Sequence, residues 1–564
     1  MNRRATLATL FGKKSTEKST ESTVATTTAS PPLVLSGLDP YTDTWEYEQA
    51  AHLLRRAMFG PTHNQIKSSI QDGMEATVAT LLNDLPMPSP PLNYSNEDDL
   101  FVPIGETWIE APYSAGVNLR GARNASLKSW TMGHLLNEGV SLREKMVLFW
   151  HNHFATASTI VNDPKLVYRL HTLFRANAWG NFRELTKQVT IDPMMLRYLN
   201  GNQNRVQAPN ENYARELLEL FTIGKGPQVD DGDYTNYTED DVIQMARVLT
   251  GWRDRGFVTT NPDVEVGSFF VSNRHDTGEK QLSHRFDEVV ISNMGDGEYA
   301  HLIDIIFEKE EVAKFICRKI YRWFIYYKIT DQAETDVIQP LAQILIDNDY
   351  EIKSVLEVFF KSQHFYDMLN IGPMIKNPVD FTVSLIKQLE MPLPPGDNLN
   401  QQYRVWFIIN RVNAAMLMEI FNPPSVAGWP AYYQEPGYSR LWINSTTLPL
   451  RNEMTNRLTN QGLTANGFTV RINPLELIAQ FDDPFDPNIL IQELVVLLFP
   501  QPITQNQIAF LKEILIPGLP DFEWTVEYGD YVNDPTNEDL AMGVENKLRN
   551  LLTAMLTMPE YYLS

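Results

Sequence analysis

The chain has 564 residues, 43% of them apolar and 21% charged, an ordinary globular composition with length for about three or four domains or one large lobed body. With 47 basic against 70 acidic residues the formal net charge is −23, which argues against nucleic acid as a partner because phosphate binding depends on a basic surface. The single cysteine, Cys317, excludes an intrachain disulfide framework and any multi-thiolate metal site, and the longest purely apolar run, Leu494 to Phe499, is far short of the ~20 residues of a membrane helix.

The N-terminus opens Met1-Asn2-Arg3-Arg4, followed by a weakly apolar stretch from Ala5 to Phe11 that Lys13-Lys14 closes. A twin arginine suggests export, yet this stretch is short and Thr-interrupted beside the ~7–15 apolar residues a signal needs. Ser15 to Ser30 holds 10 Ser/Thr in 16 residues and reads as a disordered linker. Residues 1–40 therefore read as a tail, with a cytoplasmic location expected and export to the periplasm or cell surface as the alternative.

From about Tyr41 the dominant signal is helical. Ser141-Leu142-Arg143-Glu144 has the form of a capping box leading into Met146, Phe149, Trp150 and His153 at helical spacing. Thr238-Glu239-Asp240-Asp241 is a second box, with Val242, Met245, Ala246 and Leu249 behind it and Gly251 where a helix would end. Lys314 to Tyr327 and Ile352 to Phe360 are further amphipathic helices, while strand-like alternation is confined to pieces between about 255 and 295. The fold expected is mainly α: a helical core over 41–470 with a small β insertion near 255–295, and a C-terminal helical lobe over 471–564 with the Pro/Asp-rich stretch Asp482 to Pro487 near its start.

Three clusters can carry chemistry. His151 and His153 sit two apart in Phe149-Trp150-His151-Asn152-His153-Phe154; on a strand they would face the same way and share a metal, whereas on a helix they lie about 200° apart and cannot. A shared metal thus requires the helix to end near Trp150. Asn210-Glu211-Asn212-Tyr213-Ala214-Arg215-Glu216 reads either as a capped helix with Glu211–Arg215 pairing or as converging polar groups that hold an anion or a sugar. In Arg274-His275-Asp276-Thr277-Gly278-Glu279-Lys280 the Asp can set the tautomer of a general base, or the segment is a turn around Gly278. Lys314, Arg318 and Arg322 form a basic stripe that reads as a solvated or ion-paired face, and Cys317 as a buried thiol.

Taken in order, these segments resemble a bacterial family known as domain of unknown function 1800. The resemblance runs through His52 to Thr62, Arg143-Glu144-Lys145 with Phe149 to Phe154, Asn210 to Leu217, Ala246-Arg247 with Leu249 to Trp252, and His275-Asp276 with Gly278 and Lys280. It continues through Ile375-Lys376-Asn377-Pro378, Pro423 to Pro430, and Trp442-Ile443, so that it covers roughly residues 45 to 455. It implies a large, mainly helical protein, often exported, and a functional partner of the alkaline-phosphatase-like type; it supplies no catalytic assignment.

Two functions follow as expectations. The first is a metal-assisted hydrolase with His151, His153, Glu211, Glu216, His275 and Asp276 as acid–base groups. In it a divalent metal sits on His151, His153 and Glu211, and Asn210, Asn212, Tyr213, Arg215 and Lys280 meet a polar or anionic small molecule or a glycan. The second is a non-catalytic helical scaffold, with the Trp429 and Trp442 region as a carbohydrate- or protein-binding surface.

Overall fold

The computed structural model describes residues 36–114 and 116–564, which belong to one compact unit. The expectations for an export signal and a Ser/Thr-rich linker fall outside those residues. The architecture is mainly helical, and the strands form only two-stranded antiparallel sheets. Among the described residues no helix is long and apolar enough to cross a membrane.

The first helix that matters for the site, α1 (Tyr47–Ala57), is buried along nearly its whole second half, including His52, Arg55 and Arg56. It has no polar face toward its end, so the two arginines enter the interior. Helix α2 (Leu119–Asn137) lies against a later long helix at Gly133, where an added Cβ would meet the Trp406 ring at 2.8 Å; glycine is what lets the two approach. Helix α3 (Arg143–His153) is buried on every side, and α4 (Pro164–Ala176) starts on Asp163, whose carboxylate accepts from Lys165 N.

The start of α3 differs from the expected capping box. The Ser141 hydroxyl accepts from Arg143 N at 3.1 Å, but Glu144 turns inward to Arg175 of α4, with Nε–Oε1 2.5 Å and Nη2–Oε2 2.7 Å. A long-range guanidinium outcompetes the local amide because it satisfies both carboxylate oxygens.

The Thr238 box is present on α5 (Glu239–Val248), with both reciprocal bonds made. The β insertion follows as two hairpins: β1 (Trp252–Arg255) pairs β2 (Gly267–Phe270), and β3 (Lys280–Gln281) pairs β4 (Val290–Ile291). It rests on α6 (Glu298–Phe307). Further hairpins at Gln228–Tyr234 and Leu463–Val470 lay outside the expected insertion. Helix α7 (Glu310–Phe324) carries the basic stripe: Lys314 pairs with Glu310 and Arg318 with Glu311 and Glu334, whereas Arg322 donates to the Tyr327 carbonyl at 3.3 Å. Cys317 is buried there, and burial raises its thiol far out of the reactive range.

The C-terminal half adds α8 (Pro378–Gln388), capped by Asn377, then α9 (Leu399–Ala415), which is the helix against Gly133. Helices α10 (Thr447–Asn456), α11 (Pro487–Leu498) and α12 (Glu538–Thr557) follow among others. Residues 471–564 are helical as expected, and they share a core with the rest: α11 packs on α1, and α12 packs on α10.

Candidate functional site

Helix α3 runs without interruption through His153, so the condition for a metal shared by His151 and His153 is not met. Each ring meets its own neighbours. His151 lies 4.5 Å from the His171 ring and 5.6 Å from that of Trp429, and neither of its nitrogens has a hydrogen-bond partner. Burial pushes its pKa down to about 3. His153 Nε2 lies 3.0 Å from the Phe221 carbonyl, and its Nδ1 3.1 Å from Lys319 Nζ. Its Nε2 therefore carries the proton and its Nδ1 accepts, since a carbonyl can only accept. Burial and then Lys319 hold it well below the usual imidazole range. The Phe221 carbonyl is free for this because it lies in the last turn of its helix, the π-helical Leu217–Thr222, whose Leu220 carbonyl accepts from Lys319 at 2.7 Å.

The second cluster stays at the surface as a helix start. Asn210 Oδ1 accepts from Asn212 N at 2.9 Å, and Tyr213 is buried with its hydroxyl on Thr190 Oγ1 at 2.8 Å. Glu211 is exposed and pairs with Arg215 at 3.2 Å; Arg215 also meets Glu239 of α5 at 2.8 Å. Burial and the nearby Glu219 raise the Glu216 carboxyl. Glu211 thus comes nowhere into a ligand set with the histidines. Among the described residues no three His, Cys, Asp or Glu side chains are placed to hold one ion.

In the third cluster His275 and Asp276 point apart, as adjacent residues do. Asp276 pairs with Arg247 at 2.7 Å. The partner of His275 is Glu298, which sequence reasoning missed: His275 Nε2 to Glu298 Oε2 is 3.1 Å, and Lys280 Nζ donates to Glu298 Oε1 at 2.5 Å. Burial works against a charge on His275, but the bonds to Glu298 and the Thr250 carbonyl outweigh it and raise its pKa. Glu298 is fully buried and also accepts from Met294 N, so in the sequence it passes for an ordinary acid of a first helical turn. The network ties the β insertion to α6. Trp429 and Trp442, expected as a binding surface, are both buried.

What the structure gathers elsewhere is positive charge. Arg55 and Arg56 of α1, Lys145 of α3, Lys376 ahead of α8 and Arg451 of α10 are all buried around one carboxylate, Asp380 of α8. Several of these cations are satisfied. Arg56 donates to the carbonyls of Phe324 (2.7 Å) and Trp323 (3.0 Å) and to Ser564 Oγ (2.7 Å). Lys145 pairs with Asp380 and sits over the Phe59 ring at 4.5 Å. Asn377 Nδ2 donates to Asp380 Oδ2 (2.6 Å) and to the Tyr432 hydroxyl (3.0 Å).

Others are not. Lys376 Nζ has no acceptor and lies 4.0 Å over the Tyr561 ring; Arg451 Nε and Nη1 and Arg55 Nε also lack one. Burial, and then Arg55, drives the Lys376 pKa well below the usual ammonium range. Two small cavities share Asp380 and Ser564 in their walls: one of about 20 Å³ meets Arg56 and Lys145, and one of about 10 Å³ meets Arg55 and Lys376. Buried side chains of this charge normally find a counter-charge or give up their proton. Three of the segments that carry the family resemblance meet here, those of Arg55-Arg56, Lys145 and Lys376-Asn377.

No curated protein and no solved structure matches the chain. A sequence model of the family described as protein of unknown function (DUF1800) matches residues 52–563, well beyond the stretch expected from the motifs. Apart from Ser564, the residues around the buried cations lie within that match, and the protein belongs to this family.

Proposed function

We propose that the protein binds a small organic anion, taken up in the cation-lined pocket between α1, α3, α8 and α10. One observation carries the reading: Lys376 Nζ and two nitrogens of Arg451 are buried without acceptors beside a single carboxylate. An anion placed there supplies the missing acceptors and the counter-charge together. No reaction is assigned, because the residues expected for metal-assisted hydrolysis turn to separate partners.

The test is thermal unfolding at constant ionic strength against chloride, acetate and inorganic phosphate, in the wild type and in Lys376→Met. A small anion should raise the wild-type melting temperature saturably; occupancy at about 100 times Kd adds roughly 2.7 kcal/mol of stability. Lys376→Met should remove the response. An equal response in both proteins, or none beyond the salt control in either, overturns the proposal.

A further inference from the structure

We infer that the helix Asp521–Asn533 is a docking face for a basic amphipathic helix of another protein. Phe522, Val526 and Phe485 are its apolar anchors, and the carboxylates around them guide the partner in. This goes beyond anion binding and is independent of it.

The helix carries apolar residues on two sides. Its inner side is Trp524 and Tyr528, both buried, with their rings stacked at 5.7 Å and the indole donating to the Pro484 carbonyl at 2.9 Å. Phe522, Thr525, Val526 and Gly529 recur at i, i+3, i+4 and i+7, the spacing of a helix side that packs on something. Yet this side faces solvent: Phe522 is 60% and Val526 54% exposed. Phe485, in the loop before α11, extends the strip. Its ring lies 5.0 Å from that of Tyr528, its carbonyl accepts from Thr525 Oγ1 at 2.9 Å, and a Cβ on Gly529 would meet it at 3.9 Å. Two phenylalanines and a valine thus share one exposed strip.

Charge says what fits there. Residues 482–545 hold 13 Asp and Glu against one basic residue, Lys512, so more than half of the chain's net charge of −23 falls on this short part of its length. Asp521 pairs with Lys512 and Glu527 with Lys547. Glu523 and Asp530, seven apart on one flank of the strip, have no ion pair among the described residues, and neither have Asp483 and Asp486 on either side of Phe485. A second copy of the chain would set this acidic face against itself, and an anionic lipid surface would be repelled. A helix with leucine-like residues on one side and Lys or Arg beside them answers both features: its apolar side covers the strip, and its cations meet the free carboxylates.

The experiment is fluorescence anisotropy of labelled synthetic helices titrated with the full chain. Three probes separate the two contributions: leucine and lysine in amphipathic order, the same helix with serine for leucine, and the same helix with glutamate for lysine. The leucine–lysine helix should bind at least tenfold more tightly than either of the others. The double variant Phe522→Ser, Val526→Ser changes only exposed positions, so it should keep the wild-type melting temperature while weakening that helix at least tenfold. Glu523→Gln with Asp530→Asn should weaken it about threefold and flatten its salt dependence.

Equal binding of the leucine–lysine helix to the wild type and to the serine double variant overturns the proposal. So does tighter binding of the leucine–glutamate helix, or no binding of the leucine–lysine one. Dimerisation of the chain alone, or its binding to phosphatidylcholine vesicles, overturns it too where the serine variant abolishes the effect, since a second copy or lipid then covers the face. Phe485→Ser, outside the helix, reads the same strip if the double variant does not fold.

Discussion

Arg451 donates from Nη2 to the main-chain carbonyl of Lys376 at 2.8 Å, so one buried cation fixes the backbone of another whose amine has nothing to bond. The two residues therefore respond in opposite ways to removal. Lys376→Met replaces an unpartnered buried amine with an apolar chain of similar length. In the absence of ligand this should raise stability, by about 1 kcal/mol. Arg451→Met frees the Lys376 carbonyl in the interior and should lower stability by about 1–3 kcal/mol. Urea unfolding of the two variants checks the pair of signs.

The Glu144–Arg175 pair between α3 and α4 is buried at both ends, and the guanidinium lies over the Trp130 ring at 5.2 Å. Arg175→Met leaves an uncompensated carboxylate inside and should cost about 3–5 kcal/mol in a denaturation midpoint experiment. Burial alone would raise the Glu144 carboxyl, but Arg175 outweighs it and the pKa lies below its ordinary value. The pair's contribution is thus fully present above about pH 4.5 and is lost as pH falls through the lower folded value. Arg175→Met should lose that acid limb as well.

His151 titrates the other way. In the unfolded chain it takes up a proton below about pH 6.5, whereas burial holds it neutral in the fold down to about 3. Stability is unaffected by His151 above 6.5 and falls as pH drops through that window, by roughly 2 kcal/mol at pH 5. His151→Phe keeps a ring against His171 and Trp429 and should remove this share of the acid sensitivity. Unfolding free energies at pH 7 and pH 5 should then differ less than in the wild type; an unchanged difference would count against a buried neutral imidazole.

Glu298 holds both His275 and Lys280, so Glu298→Ala strands two buried donors at once. The expected effect is local. Amide exchange should speed up in the two hairpins, β1 to β4, while α3 and α4 keep their protection. Hydrogen-exchange mass spectrometry over residues 252–291 reads this directly.

Gly428 has φ +87°, and a Cβ there would meet the Asn152 carbonyl oxygen at 2.6 Å. Asn152 also accepts from Trp429 N at 2.9 Å. Gly428→Ala should therefore displace Trp429. It should lower stability by about 1–3 kcal/mol, which urea unfolding of the variant checks.

The elements legible in the sequence are those set by neighbours along the chain. Ile352–Phe360 stands where its periodicity puts it, and the Thr238 box closes because its partners are three residues apart. Glu144 was misread because Arg175, its better partner, lies 31 residues on. The histidine pair was readable to the point of a condition, that α3 end near Trp150, and only the fold shows the helix continuing. The cation pocket gave no local signal, since Lys376 and Arg451 are 75 residues apart and each alone looks like a solvated surface charge. A trace was nonetheless present: Arg55-Arg56 stand between Leu53-Leu54 and Ala57-Met58-Phe59, with no polar face to carry them. Glu298 stayed hidden because an acid in the first turn of a helix is unremarkable by itself.

The bond from Arg56 to Ser564 spans 508 residues, and Lys376 stacks on Tyr561. The pocket is therefore walled by the first helix of the family match and by the last residues of the chain. During synthesis the early cations emerge long before their enclosure does. A nascent chain holds them in water until the segment bearing Tyr561 and Ser564 has emerged as well, and only then does the interior close around them.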